Sequence, residues 1–448
     1  MMFKKTKYFI AIVILALMTQ ISAAQAQTII RDTEIEAMLS EWFKPIFEVN
    51  NMDPEQVKII LVQSNDINAF VAGGANIFFY TGLIQETSSP MELIGVMAHE
   101  LGHISGGHLV RSREALESAS YESILGTLVG IGAALATGEA GAVGAIGGGS
   151  NSMAQRRFLS KVRTFESSAD QAAISSMERA QLNPEGLLTF LNKLEGQELV
   201  PESQQSEYVR THPLTRSRIS TIENAVSQSN YKDQAVPEKW IRQHELMKAK
   251  LLGFINPEHV MWVYDDRDQS IPAQYARTIA DYRQNNIKQA LSGIDRLIAL
   301  EPSNPYFYEI KGQMLVDFSR VGEAIAPYEQ ALKLKPNAAL IRIALAHALI
   351  ETSQDNKANL NAAIDHLKTA AVRERRSSQV QRLLATSYGR LGQESQAKLH
   401  LAEEALLQQR FDYAKQQATS ALEGLTENTS SWYRAKDILS FIETQKTS

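Results

Sequence analysis

The chain has 448 residues, 44% hydrophobic and 21% charged, the balance of a globular protein long enough for two or three folded units. It contains no cysteine, which excludes disulfides, thiol catalysis and every cysteine-held metal, so a metal here has only His, Asp and Glu to bind it. A formal net charge of −5 gives no basis for nucleic-acid binding, and no nucleic-acid partner is expected.

The first element reads as an export leader over residues 1–26. Lys4, Lys5 and Lys7 precede an apolar run from Tyr8 to Met18, and small residues follow, with cleavage expected near Ala26. The run is shorter than the ~20 residues that span a bilayer, and lipidation would need a cysteine after the cut. An exported chain of this kind is expected in a bacterial periplasm.

A helical stretch from Thr33 leads into "VKIILV" (57–62), a β-branched run with the character of a buried strand. In "NAFVAGGANIFFYTGLI" (68–84) two apolar segments hinge on Gly73 and Gly74, as in a β-hairpin. Pro90 then opens a helix, and that helix carries "VMAHELGH" (96–103). Residues 124–149 are apolar and glycine-rich, with Glu139 the only charge. They are expected to form a loose flap or helical hairpin near the active site, in peripheral contact with a membrane surface or unfolded substrate. The chain is again helical from 165 to 199, polar over 225–236, and continues in a connecting helix at 238–254.

Beyond about residue 270 an internal period appears. Pro302 and Pro336 lie 34 residues apart, and Ala290 matches Ala324. Gly312, Ala324, Tyr328, Ala331 and Pro336 occupy the small, aromatic and proline positions of a tetratricopeptide repeat. Weaker units follow, and "SSWYRAKDILSFIE" (430–443) has the look of a terminal cap. Such repeats stack into a solenoid whose concave face receives peptides or partner segments. Arg373, Arg375, Arg376, Arg382 and Arg390 are read as an ordinary solvated face rather than a basic binding patch.

On a helix, positions i and i+4 share a face, so His99 and His103 can aim at one metal while Glu100 projects toward a water beside it. His108 falls one residue short of the longer His-Glu-x-x-His-x-x-Gly-x-x-His pattern, which would need histidine at Leu109. On a continued helix it would face away from His99, so it is rejected as a ligand and read as a packing or hydrogen-bonding histidine. Glu166 in "TFESSADQAAI" is the better third ligand, and Asp170, one turn later, is placed to hold a ligand histidine by its other ring nitrogen. His212, in "THPLTRSRI" (211–219), precedes a proline and must lie on a loop. It has two open chemistries: donation to a developing oxyanion, or occupation of the fourth metal position, which would make the enzyme latent.

"NAFVAGGANIFFYTGLI", "HELGHISGGH", "ESSAD" and "THPLTRSRI", in this order, resemble the HtpX-type zinc metallopeptidases, the family that includes the CAAX prenyl proteases. Taken with the leader and the repeats, the resemblance covers essentially the whole mature chain. It implies an α+β zincin-like metallopeptidase domain at 27–228, a connecting helical segment at 229–269, and an all-α tetratricopeptide-repeat solenoid at 270–448. It implies one Zn2+ per chain held by His99, His103 and Glu166, with Glu100 as catalytic base, Asp170 in support, and His212 and Arg218 near the active site. Ser168 stands where many relatives carry a second glutamate, but the two outer acids remain. Leader, peptidase domain and repeats together resemble periplasmic proteases that assist outer-membrane protein assembly and quality control. The partners implied are unfolded or misassembled outer-membrane proteins, with the barrel assembly machinery on the repeats. Asn68, Ala69, Phe70, Gly74 and Asn76 are expected along or beside an edge strand on which substrate pairs. The rival reading is a largely non-proteolytic chaperone or scaffold.

Overall fold

The computed structural model describes residues 28–54, 57–72, 75–108, 151–201, 204–354 and 356–446. The leader, Gly74 and the 124–149 segment lie outside the described residues. The chain divides into two compact units, one containing 38–244 and the other containing 32–37 together with 245–448.

The first unit holds a four-stranded sheet in the order β1-β2-β4-β3 (β1 Thr28–Ile30, β2 Lys58–Gln63, β3 Ala69–Ala72, β4 Asn76–Tyr80). Strands β2 and β4 run parallel, with Ile60 opposite Phe78, and β3 returns antiparallel on β4, with Val71 opposite Ile77. The hairpin expected at 68–84 is therefore present, and β3 forms one edge of the sheet. Strand β1 was not foreseen; three residues are too few for an alternating pattern to show. Ile77 and Phe79 of β4 are fully buried. Phe79 meets Phe43, from helix α1 (Thr33–Val49), at a ring separation of 5.7 Å. Phe70 stacks on Phe78 at 4.8 Å.

After the short helix α2 (Thr81–Glu86), Ser89 caps helix α3 (Pro90–Ser105) by accepting the Glu92 N–H, with Pro90 in the first turn. Every residue from Pro90 to Gly102 is buried, so α3 is a central helix rather than an amphipathic surface one. Helix α4 (Asn151–Arg179) crosses it at Gly102, where a Cβ would stand 2.8 Å from the Ala169 carbonyl oxygen. That close approach sets Glu166 and Asp170 beside His99. Helix α5 (Glu185–Leu194) follows. Helix α6 (Glu207–Thr211) then ends on His212, and Thr215 caps helix α7 (Arg216–Gln228).

Helix α8 (Glu238–Ile255) runs into the second unit, which continues through the short α9 (Val260–Val263) into helix pairs. These are α10 (Ile271–Arg283) with α11 (Ile287–Leu300), α12 (Pro305–Asp317) with α13 (Val321–Leu334), α14 (Ala339–Thr352) with α15 (Lys357–Ala371), and α16 (Ser378–Arg390) with α17 (Glu394–Leu407). Helices α18 (Phe411–Leu422) and α19 (Ser430–Lys446) close the array. The repeat positions read from sequence are contact positions. Ala290, Ala324 and Ala331 are fully buried, and a Cβ on Gly312 would stand 2.5 Å from the Tyr328 ring. Arg382 pairs with Glu404 at 2.6 Å and Arg390 donates to the Ile350 carbonyl at 2.6 Å, so those two arginines are engaged within the array. Among the described residues no helix is long and apolar enough to cross a membrane.

Candidate metal centre

His99, Glu100 and His103 come from α3, Glu166 and Asp170 from α4, His212 from the end of α6, and Arg218 from the first turn of α7. One donor atom from each of His99, His103, Glu166 and His212 falls within 4.8 Å of all the others. The individual separations are tighter. His99 Nε2 lies 3.1 Å from His103 Nε2, 3.3 Å from Glu166 Oε2 and 3.3 Å from His212 Nδ1. Glu166 Oε2 is 3.1 Å from His212 Nδ1, and Glu166 Oε1 is 3.4 Å from His103 Nε2. Atoms about 2.0–2.1 Å from a tetrahedral ion stand about 3.3–3.4 Å from one another, so this donor set fits a small divalent cation. Its all-nitrogen-and-carboxylate chemistry is the one a cysteine-free chain requires.

The surrounding groups fix these donors. His99 Nδ1 donates to Asp170 Oδ1 at 2.9 Å, leaving Nε2 free to face the cluster. Arg218 grips Asp170 through two bonds of 2.7 and 2.9 Å, and its Nη1 lies 3.1 Å from Glu166 Oε2. The same Nη1 donates to the Pro213 carbonyl at 2.8 Å, fixing the loop that carries His212. Tyr208 stacks on the His212 ring at 4.7 Å. The loop histidine is thus held from both sides.

Burial would raise the pKa of Glu166, but the His212 charge and hydrogen bonds from His212 and His99 outweigh it and hold the carboxyl well below its ordinary value. Asp170 is likewise lowered: burial is outweighed by the Arg218 and His99 hydrogen bonds. Burial disfavours a charged His99, yet its bonds to Asp170 and Glu166 lift its pKa to about 10. His103 is pushed down to about 2 by burial and by the His99 charge. Glu100 is raised, chiefly by burial. Its Oε1 accepts no hydrogen bond, although His212 Nε2 stands 3.4 Å away. That oxygen is a buried acceptor poised beside the cluster, with no hydrogen bond to satisfy it.

A cavity of about 220 Å³ opens onto these groups, with Phe70, Val71, Val162 and Phe165 as its apolar wall and Glu100, His103 and His212 at its polar end. Of the residues expected along the substrate strand, Ala69 and Phe70 lie on β3. Asn68, just before it, is buried and donates to Glu207 at 3.0 Å. Asn76 is different. It begins β4, which has β2 on one side and β3 on the other, so it lies inside the sheet and not on its free edge. His108 does not face away from the cluster, because α3 stops at Ser105; it lies against His103. Sequence periodicity missed this, since it extends the helix past Gly106 and Gly107.

Residues 30–226 match peptidase family M48, and residues 272–419 match a tetratricopeptide-repeat family. The beta-barrel assembly-enhancing protease of Escherichia coli (strain K12) is 27% identical over 306 residues, 66% of this chain and 61% of that protein. The protein of the same name from Yersinia pestis is 25% identical over 305 residues, with the same coverage. Metalloprotease LoiP of Escherichia coli (strain K12) is 26% identical over 184 residues, 41% of this chain and 68% of that one. The chain thus matches about three fifths of the length of the assembly-enhancing proteases. Its α+β unit matches the peptidase family M48 model, and the helical array that follows it in sequence matches the tetratricopeptide-repeat model.

Proposed function

We propose that the protein is a zinc-dependent endopeptidase with chaperone-like activity in outer-membrane protein assembly and quality control, working in the periplasm on unfolded or misassembled clients. The observation that carries the catalytic part is the donor set: four side chains from three helices, spaced as a tetrahedral ion requires, beside a buried carboxylate oxygen that accepts no hydrogen bond. His99, His103 and Glu166 would hold the ion. Zinc there would supply Lewis acidity for a peptide carbonyl and for the attacking water.

The chain's own residues do the rest. Glu100, raised by burial, takes the water's proton and passes it to the leaving amine. Asp170 fixes the tautomer of His99, and Arg218 fixes Asp170. The outer edge of β3 offers backbone groups to an extended substrate, and Phe70 and Val71 form the wall of the adjoining cavity. Backbone pairing of this kind discriminates little between sequences, which suits misfolded clients.

His212 restrains the site. Its Nδ1 sits among the donors at 3.1–3.3 Å from Glu166 and His99, while its Nε2 is turned to Glu100. This favours the fourth-ligand role over oxyanion donation, because a histidine in that position excludes the water. The relatives' name supports outer-membrane clients, and the repeat region supports recruitment of the barrel assembly machinery.

The test joins metal analysis of the purified protein to digestion of an unfolded barrel protein. Wild type is expected to hold one zinc per chain, and His212→Ala to cleave faster. Glu100→Gln, alone or combined with His212→Ala, is expected to keep the zinc and to lose about 10²–10⁴-fold in rate. Bound zinc with no Glu100-dependent cleavage in either background would favour the scaffold reading.

A further inference from the structure

The turn "GGH" after α3 carries an assignment of its own. Gly106 N–H returns to the Gly102 carbonyl and Gly107 N–H to Ile104, closing the helix. Gly107 then adopts φ +62, a left-handed step open to glycine at no steric cost. The chain reverses, and His108 comes back against the histidine five positions earlier. His108 Nδ1 lies 3.0 Å from His103 Nδ1, with the rings nearly perpendicular at 80°. On its other side the His108 ring stacks on Phe165 at 4.4 Å and 16°. It is 4% exposed. The ring lies across Gly106, where a Cβ would stand 2.3 Å from its Nε2.

His103 turns Nε2 toward His99 and Glu166. A ring that ligates through Nε2 is neutral and carries its proton on Nδ1, and that proton then points at His108. We propose that His108 is the positioning residue of His103, accepting its Nδ1–H and so fixing both tautomer and ring rotation. This rests on the reading of the cluster as a metal site. It also divides the two α3 ligands by the partner each has. His99 is oriented by a carboxylate and His103 by an imidazole, and the carboxylate confers the greater basicity.

Two variants separate hydrogen bonding from packing. His108→Phe keeps a ring to stack on Phe165 and removes the acceptor, whereas His108→Gln keeps an acceptor in its amide oxygen. Zinc affinity is measured by chelator competition, and the ligand field by the visible spectrum of the cobalt-loaded full-length protein. His108→Phe is expected to weaken zinc binding about 10–100-fold and to shift the cobalt spectrum, and His108→Gln to recover most of both. Wild-type affinity and spectrum in His108→Phe would overturn the proposal, as would equal loss in both variants. A third measurement needs no variant. In zinc-loaded protein labelled with nitrogen-15 histidine, the proton is expected on His103 Nδ1 and not on His108 Nδ1; the reverse would overturn the assignment. Failure of the wild type to take up either metal would instead remove the metal reading, and this inference with it.

Discussion

In His99, burial and hydrogen bonding oppose one another, and hydrogen bonding wins. The ring's pKa of about 10 means that, before metal enters, it carries a proton at neutral pH between Asp170 and Glu166. Metal loading must expel that proton, because Nε2 can hold one or the other. Zinc uptake near neutral pH is therefore expected to release about one proton per ion from this ring, measurable by calorimetry in buffers of different ionisation enthalpy. Apparent affinity should rise by up to about tenfold per pH unit until the ring titrates. The stability sign also follows. A folded pKa above the unfolded value stabilises the apo protein below about pH 6.5, and this is lost as pH rises through about 10. Asp170→Asn removes the carboxylate that retains the proton, so it should reduce both proton release and zinc affinity. Unchanged release in that variant would place the proton elsewhere.

At the scale of elements, the site depends on how closely two helices approach. A methyl group on Gly102 would lie 2.8 Å from the Ala169 carbonyl oxygen and 2.9 Å from its Cα, both backbone atoms that cannot swing aside. Gly102→Ala is expected to separate α3 from α4, costing about 1–3 kcal/mol in stability. Because Glu166 and Asp170 flank Ala169 on α4, zinc affinity should fall together with the melting temperature. A melting shift without loss of affinity would show that the helices part elsewhere. The same two helices show what could be read from sequence. The i, i+4 spacing of His99 and His103 and the one-turn spacing of Glu166 and Asp170 are local properties of a helix, and the two pairs face one another across α3 and α4. His108 packs and hydrogen-bonds as read, but its direction differs because a periodicity argument assumes that the helix continues, whereas two glycines end it. Asn76 begins β4, the strand beside the edge strand β3, and a hairpin alone does not reveal which of its two strands lies inside the sheet. The contact between His212 Nδ1 and Glu166 joins residues far apart in sequence, and no local pattern encodes it.

At the scale of the whole molecule, the second unit gathers residues 32–37 into the repeat region. The reason is electrostatic as well as apolar. Lys250 is fully buried, with Nζ 2.7 Å from Asp32 Oδ2 and 3.1 Å from Glu34 Oε2. Tyr275 donates to Glu34 at 2.9 Å, and Thr33 donates to Glu309 at 2.5 Å. One ammonium thus pairs with two carboxyl groups and acts through its charge on a third, Glu309, and Glu34 Oε1 and Glu309 Oε2 are buried without a hydrogen bond. Burial raises both glutamates, Glu309 to about 8 despite the Lys250 charge. Glu309 therefore carries a proton in the folded unit at neutral pH, where the unfolded chain has already lost it. The folded state binds the extra proton between about pH 4.5 and 8, so stability should fall with rising pH across that window, by up to about 1.4 kcal/mol per pH unit. Glu309→Gln supplies a permanently neutral side chain of similar shape. In the full-length protein it should flatten this slope, leaving the dependence due to Glu34. Amide hydrogen exchange in peptides from α10 to α13, corrected for intrinsic rates, would follow the repeat region alone. An equally steep slope in Glu309→Gln would mean that the proton resides on another group. Lys250→Ala is the opposite perturbation: it leaves the carboxyl groups without their cation and should cost about 3–5 kcal/mol.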